Sequence, residues 1–252
     1  MNTEVKQALS KVPEVTLIFW VIKIFATTLG ETGGDALSMS MGLGYLLSTA
    51  IFGAIFMVAV SFQMYSKKFH PVTYWATIIA TTTVGTTLAD YADRSLGIGY
   101  AGGSALLLGL LLSSLLVWKQ TLGSVAVDTV SSPKSEIFYW VTIMFSQTLG
   151  TALGDWVADT EGLGYLASAL IFGGLLAAIA VAYYRTKISR TVLFWAAFIL
   201  TRPLGAVVGD FLDKPYTSGG LELSRYSASA ALMLVIVLMI FAFNHRPAAT
   251  TH

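Results

Sequence analysis

The chain has 252 residues, of which 55% are hydrophobic and only 12% are charged, and its formal net charge is +1. A soluble domain typically carries about 25% charged residues, so this composition predicts an integral membrane protein. The absence of cysteine excludes disulfides, thiolate metal sites and a cysteine nucleophile, and the small net charge gives no indication of a nucleic-acid partner.

Eight apolar stretches are long enough to cross a bilayer, which takes about 20 mostly apolar residues in a helix. The polar N-terminal stretch before them has no convincing cleavage site, so we interpret it as a leader that stays on the protein. In chain order the predicted helices are 15–35, 45–65, 72–90, 100–118, 137–157, 165–184, 192–211 and 226–243.

One pattern recurs four times and divides these helices into pairs. Each copy has an aromatic residue followed by a tryptophan, a glycine ten residues after the tryptophan and an aspartate fifteen residues after it. The tryptophans are Trp20, Trp75, Trp140 and Trp195, and the aspartates are Asp35, Asp90, Asp155 and Asp210. The spacings between tryptophans are 55, 65 and 55 residues, which indicates a duplicated two-repeat ancestor with extra residues in a central linker.

The four copies in register resemble a family of bacterial membrane proteins defined by four tandem repeats. In that family each repeat has two transmembrane segments and a characteristic tryptophan. The resemblance covers residues 13–243, although the fourth copy lacks the Gly-x-Gly-Tyr that ends the first three at Tyr45, Tyr100 and Tyr165. The family is one of unknown function, so the resemblance implies a fold and no activity.

The predicted fold is an all-α integral membrane protein of eight transmembrane helices from four parallel two-helix repeats. The terminal and inter-repeat segments hold ten lysines and arginines, and the loops within repeats hold three, which places both termini in the cytoplasm. The loops within repeats then face outward, and they are acidic, with Glu161 among their residues. The predicted divisions are a leader 1–12, repeats 13–66 and 67–118, a linker 119–135, repeats 136–186 and 187–243, and a cytoplasmic tail 244–252.

The first helix of each repeat carries a polar stripe. Positions 3, 7, 10, 11, 14 and 15 after the tryptophan fall within about 140° of arc on a helix. Because a polar stripe is costly against acyl chains, we expect the first helices to be central and to face one another. The second helices are apolar nearly all round and are expected at the periphery. Small residues four apart, at positions 10 and 14, favour close approach of the first helices.

The repeat aspartates have two interpretations. In one, Gly-Asp ends the helix and starts a turn at the membrane surface. In the other, four parallel helix ends bring the carboxylates together near the outer mouth, and Glu31 adds a fifth one turn deeper. Oxygen ligands without cysteine or intramembrane histidine favour Mg²⁺, Mn²⁺, Na⁺ or H⁺. The candidate ion or metal ligands are Glu31, Asp35, Asp90, Asp155 and Asp210.

Two cations lie within the predicted spans. Lys23 is near enough to the cytoplasmic end for its ammonium to snorkel to the surface. Arg202 is deeper, and Pro203 after it predicts a kink. Arg202 either forms a buried ion pair with Glu31 or Asp35 that fixes the repeat order, or acts as a substrate anchor or tethered counter-ion. The tryptophans Trp20, Trp75, Trp140 and Trp195 are interfacial anchors or packing residues, or an aromatic constriction at the inner end.

The predicted function is an inner-membrane transporter or channel-like protein for a small ion, a divalent metal or a proton-coupled cation. The alternatives are a non-transporting scaffold or sensor, and a transporter of a small organic anion anchored by Arg202. We expect no enzyme, because no Ser-His or zinc-type His pair lies within a span and the Gly-x-Gly-Asp of intramembrane aspartyl proteases is absent. The expected partners are the lipid bilayer and a small ion or solute, with an oligomer left open. No cofactor is expected beyond a bound divalent cation.

Overall fold

In the computed structural model, residues 10–160 and 162–248 are described, and they form eight long helices with no strand. The all-helical class is therefore confirmed for this part of the chain. The helices are α1 Leu17–Asp35, α2 Gly44–Tyr65, α3 Pro71–Asp90, α4 Tyr100–Leu122, α5 Pro133–Asp155, α6 Gly164–Arg185, α7 Arg190–Asp213 and α8 Arg225–Ala242. The predictions for Glu161, for most of the leader and for the last residues of the tail fall outside the described ranges.

The central linker differs most from its predicted bounds. Helix α4 continues past Trp118 to Leu122 and ends at Gly123, whose φ of 79° suits a residue without a side chain. Helix α5 begins four residues earlier than predicted, because Ser132 caps it and its hydroxyl accepts a hydrogen bond from the backbone N–H of Ser135. The segment between the two long helices is therefore 123–132. The polar turns on either side are helical, although hydropathy alone assigned them to the linker.

In the first three repeats the chain stays helical beyond the repeat aspartate. It is the last α-helical residue, and the chain continues for five residues as one π-helical turn, at 36–40, 91–95 and 156–160. A Gly-x-Gly follows, and in the first repeat Gly42 and Gly44 have φ of 70° and 72°. Only glycine adopts this conformation without steric cost, which explains why the motif ends each of these three turns. Helix α7 instead runs through Pro203 and past Asp210 without a break.

The four first helices form a closed inner ring, in which α1 contacts α3, α3 contacts α5, α5 contacts α7, and α7 contacts α1. Each second helix packs against the first helix of the following repeat. Helix α2 lies on α3, α4 on α5, α6 on α7, and α8 on α1. Each repeat is therefore completed by its neighbour, and the last repeat closes the ring on the first.

Five of the eight helices are long and apolar enough to cross a membrane by length and composition: α2, α4, α6, α7 and α8. The second helices are largely exposed, with 11% of the apolar window of α2 buried against 67% for α7. Helices α1, α3 and α5 are too polar to qualify. Their polar side chains are buried inside the ring, so their composition reflects contact with protein and not with solvent.

Residues 12–14, before α1, pair with residues 246–248, after α8, at the end of the ring where α1 begins. The backbone N–H of Glu14 donates to Arg246 at 2.8 Å, and that of Ala248 donates to Val12 at 2.8 Å, in an antiparallel bridge. The backbone N–H of Lys11 donates to Val130 of the linker at 3.0 Å, and its ammonium lies 2.7 Å from Glu136 Oε1 in the first turn of α5. This end of the ring is therefore covered by both terminal segments and the linker.

Candidate functional site

Neighbouring helices of the inner ring pack by one rule in all four repeats. The residue seven positions after the tryptophan packs on the glycine ten positions after the tryptophan of the preceding repeat, so closely that a Cβ on that glycine would lie 3.0 Å or less from one of its atoms. The pairs are Thr82 on Gly30, Gln147 on Gly85, Arg202 on Gly150 and Thr27 on Gly205. The repeated glycine is thus required for close helix approach, as the small-xxx-small pattern predicts.

This packing stacks side chains in layers along the axis of the ring. The layer at position 7 holds Thr27, Thr82, Gln147 and Arg202, and all four are 0% exposed. The layer at position 11 holds Glu31, Thr86, Thr151 and Ala206, which are at most 2% exposed. Water does not reach these side chains, so the axis is closed in this conformation.

Arg202 joins all four repeats in the middle of the ring. Its Nη2 lies 3.0 Å from Glu31 Oε2 and also donates to the hydroxyls of Thr86 and Thr151. The predicted buried ion pair is therefore present, and its partner is Glu31. The three acceptors come from the position 11 layer of the three other repeats, so one guanidinium fixes their relative register.

Lys23 is also buried, which makes the snorkelling interpretation wrong. Its side chain is 0% exposed and points into the ring. The ammonium lies 3.5 Å from Gln147 Oε1 and 4.2 Å from the centre of the Phe198 ring. The amide and the aromatic face replace the water that a snorkelling lysine would keep.

The four repeat aspartates lie at the opposite end from the termini and form two pairs, each bridged by one cation. Lys214 Nζ is 2.7 Å from Asp35 Oδ2 and 3.1 Å from Asp210 Oδ1. Arg94 makes two contacts of 3.0 Å, from Nε to Asp90 Oδ1 and from Nη2 to Asp155 Oδ2. Each bridge connects its own repeat to the next one around the ring. The four aspartates are at most 2% exposed.

The bridging cations were not among the predicted site residues, although the sequence contains their signal. Arg94 and Lys214 both lie nineteen residues after the repeat tryptophan, and an aspartate, Asp93 or Asp213, precedes each. The first and third repeats have no cation at this position. Repeats two and four therefore match each other at these two positions, which agrees with the duplication indicated by the tryptophan spacings. Arg225 adds a third cation, 2.9 Å from Asp213 Oδ2.

The two bridging cations remain charged despite their burial. Burial alone would lower the pKa of Lys214, but the carboxylates of Asp210, Asp35 and Asp213 outweigh it and raise this pKa well above its usual value. Burial acts in the same direction on Arg94, and there Asp90 and Asp155 outweigh it and raise the pKa. Each bridge therefore has a charged donor at neutral pH.

Three carboxylates are close enough to share one cation. Glu31, Asp35 and Asp210 each offer an oxygen, and these oxygens lie within 4.8 Å of one another. Oxygens on opposite sides of an ion bound at about 2.1 to 2.5 Å are at most about 4.2 to 5 Å apart, so the spacing fits a hard cation. Asp35 Oδ1 is buried and accepts no hydrogen bond from the described residues. Asp90 and Asp155 belong to the other bridge.

The repeat tryptophans lie at the end of the ring near the termini, far from the aspartates along each helix. Each packs on the aromatic residue that precedes the tryptophan of the neighbouring repeat, with ring centres 5.4 to 6.2 Å apart. The pairs are Phe19–Trp75, Tyr74–Trp140, Tyr139–Trp195 and Phe194–Trp20. Trp75, Trp140 and Trp195 are at most 4% exposed, so they pack against protein.

The comparisons with known proteins agree with the repeats found in the chain. No curated protein and no solved structure matches the sequence. A family described as a Repeat of Unknown Function, DUF347, matches residues 18–69, 73–123, 138–189 and 193–250. Each match contains one repeat tryptophan and the aspartate fifteen residues after it. The chain therefore belongs to the DUF347 repeat family.

Proposed function

We propose that this protein is a transporter for a small hard cation, a divalent metal or a cation coupled to protons. One observation carries the proposal: the Lys214 ammonium lies between Asp35 and Asp210, in a set of buried carboxylates that also includes Glu31. A lysine ammonium in such a place is a cation tethered to the protein. It keeps the carboxylates neutralised when no free ion is bound.

The proposal includes a membrane arrangement with eight spans. The exposed, apolar second helices form the lipid-facing layer, and the polar stripes of the first helices are shielded inside the ring. The excess of lysine and arginine in the terminal and inter-repeat segments favours cytoplasmic termini in a bacterial inner membrane. The aspartate end of the ring then faces outward, and the aromatic end faces the cytoplasm.

Exchange of the tethered cation for a free one is the proposed transport step. An incoming cation at Glu31, Asp35 and Asp210 displaces Lys214, whose position in the loop after α7 allows it to move outward. Arg94 at the other bridge holds Asp90 and Asp155 during this exchange. In this proposal the described conformation is the closed state of the cycle, and the buried layers at positions 7 and 11 support that assignment.

Cation flux in proteoliposomes tests the proposal. The wild type is compared with Asp35→Asn/Asp210→Asn, in vesicles loaded with dyes for divalent metals, Na⁺ and protons. The matched control is Glu222→Gln, which removes an exposed acid from the same side of the protein. We expect flux of one cation in the wild type and the control and its loss in the double variant. Equal flux in all three proteins and in empty vesicles overturns the proposal.

A non-transporting scaffold is the second candidate. The sealed axis favours it, since every side chain in the layers at positions 7 and 11 is at most 2% exposed. A static ring does not need to open, and the ion bridges then serve only to hold the repeats together. The same flux experiment distinguishes the two functions, because a scaffold gives no flux with any cation.

A further inference from the structure

A cleft on the outside of the ring opens between the second helices α2 and α8, with α3 as its floor. Its volume is about 290 Å³, and none of the described residues that line it is charged. The walls include Ile55 of α2 and Val237 of α8, which are 50% and 39% exposed. Thr83 is the one polar residue of this lining, and its hydroxyl donates to the backbone oxygen of Ile79 at 2.8 Å. The cleft therefore presents an apolar surface to a ligand.

The cleft lies where repeat two lacks large side chains that other repeats have. Five residues after the repeat tryptophan, the other repeats have a large and partly buried apolar side chain, which is Phe25, Phe145 or Leu200. In repeat two this residue is Ala80. One residue after the tryptophan, repeat two has Ala76 where repeats one and three have valine. Both alanines line the floor of the cleft, so the missing side chains leave this space open.

The cleft extends over about the depth of one lipid leaflet. Its floor runs from Val72, in the first turn of α3, to Thr83, which is eleven residues further along the helix and corresponds to a rise of about 16 Å. The hydrocarbon core of a bilayer is about 30 Å thick, so one leaflet contributes about 15 Å. In the proposed membrane arrangement Val72 is on the cytoplasmic side and Thr83 is near the middle. The cleft therefore matches one acyl chain of the cytoplasmic leaflet.

Basic residues are concentrated at the cytoplasmic end of the cleft. Val72 and Ile240 line this end, and they lie next to the segments 66–70 and 243–248. These segments contain no acidic residue, and their exposed basic residues include Lys67, Lys68 and Arg246. The N-terminus of α3 lies at the same place, and no side chain of the described residues caps it, so its positive end is open to an anion. Basic clusters beside a membrane span attract anionic lipid headgroups.

We propose that this cleft binds one anionic phospholipid of the cytoplasmic leaflet, with a headgroup of the phosphatidylglycerol class. One acyl chain lies on Ala76 and Ala80 between α2 and α8, and the phosphate lies at Lys67 and Lys68. Helices α8 and α2 belong to the last and the first repeat, so the lipid fills the place where the ring closes. This inference rests on the membrane arrangement of the proposed function and does not require cation transport.

Lipid-dependent unfolding of the full-length protein in detergent tests the acyl-chain site. Delipidated protein is titrated with dioleoyl phosphatidylglycerol or dioleoyl phosphatidylcholine, which differ only in the headgroup, and native mass spectrometry counts the lipids that remain bound. The test variant is Ala80→Phe, with the residue of repeats one and three. Ala76→Val, also with the residue of those repeats, is a second test variant in case Ala80→Phe does not fold. The matched control is Ala196→Val, the same substitution at the equivalent position of α7.

A second pair of variants tests the headgroup contacts. Lys67→Gln/Lys68→Gln removes two exposed lysines between α2 and α3. Its control is Lys119→Gln/Lys134→Gln, which removes two exposed lysines from α4 and α5 on the same side of the protein. The two double variants change the net charge equally, so a difference between them depends on the position of the lysines.

We expect phosphatidylglycerol to raise the unfolding temperature of the wild type and of both controls in a saturable way and more than phosphatidylcholine, with one lipid retained per protein. Ala80→Phe should lose this response, Ala76→Val should weaken it, and Lys67→Gln/Lys68→Gln should respond equally to the two lipids. Asp35→Asn/Asp210→Asn should keep the full response even if it abolishes flux, which separates this inference from the proposed function. An equal response of the wild type to both lipids, or an undiminished response in Ala80→Phe and Ala76→Val, overturns it.

Discussion

Lys214 Nζ lies 2.7 Å from Asp35 Oδ2, and this contact connects the fourth repeat to the first. At the other end of the ring, the backbone bridge between Pro13 and Pro247 connects the start of the first repeat to the segment that follows the fourth. Closure therefore occurs at both ends, although the residues involved are far apart in sequence. A linear array of four repeats is converted in this way into a ring with a common axis.

The close helix contacts predict a strong effect of a single methyl group. A Cβ at Gly205 would lie 2.8 Å from the backbone carbon of Thr27, so Gly205→Ala requires a backbone shift and should destabilise the protein by about 1 to 3 kcal/mol. Gly109→Ala is the control, because no atom lies within 4 Å of a Cβ there and α4 gains a better helix former. Unfolding in detergent measures both. Equal stability of the two variants contradicts the packing rule.

The hydroxyls of Tyr74 and Tyr139 are 2.6 Å apart in the aromatic end of the ring, and both side chains are buried. Tyr74→Phe leaves the hydroxyl of Tyr139 without a partner and should cost about 1 to 3 kcal/mol of unfolding free energy. The double variant should recover most of this loss, since repeats one and four already have Phe19 and Phe194 at this position. Additive losses in a double-mutant cycle would show that the two hydroxyls are not coupled.

For the Glu31–Arg202 pair we likewise expect that removing one partner costs more unfolding free energy than removing both, and the cost is larger than for the tyrosines. Glu31→Gln leaves a fully buried guanidinium without its carboxylate, which typically costs about 3 to 5 kcal/mol. Glu31→Gln/Arg202→Gln should be more stable than Glu31→Gln alone, since Gln147 occupies the position of Arg202 in the third repeat. Thermal unfolding of both variants and of Glu222→Gln checks this. A double variant no more stable than the single one rejects the coupling.

The pairing of Lys214 has a defined pH dependence. Its pKa is raised in the folded protein, so the stability it contributes is fully present below the unfolded value of about 10.4 and is lost only as the pH rises through the folded pKa. The difference in unfolding free energy between wild type and Lys214→Met should therefore stay constant from about pH 7 to 9. A difference that shrinks within this range would show that the carboxylates do not hold the ammonium.

Much of the fold can be predicted from repeated patterns in the sequence. The tryptophan-headed repeat predicts four helix pairs, and the polar stripe correctly predicts which helix of each pair is buried. The sequence does not predict that each second helix packs on the first helix of the next repeat and not on that of its own. The length and the apolar surface of α2 are the same for either arrangement. Only the closed set of helix contacts distinguishes them.

The candidate site was predictable in its acids and not in its cations. Asp35 and Asp210 are identified by repetition, since they recur at a fixed distance from a tryptophan. A basic residue stands at the repeat position of Lys214 in only two of the four repeats, so a search for features common to all four misses it. The short distance from Lys23 to the end of its helix predicts an ammonium at the surface, and this prediction is wrong. Distance to a helix end does not determine which way a side chain points inside a ring.

The most direct test of the central claim, that Lys214 occupies a cation site, is cation-dependent unfolding of Lys214→Met. The purified variant is titrated with Mg²⁺, Mn²⁺, Ca²⁺ and Na⁺ in a buffer whose own cation is bulky, beside wild type and Lys214→Met/Asp210→Asn. We predict that one of these cations raises the unfolding temperature of Lys214→Met more than that of wild type, because the site is then vacant, and that the double variant loses the effect. No stabilisation of Lys214→Met by any cation, or equal stabilisation of all three proteins, would contradict the claim.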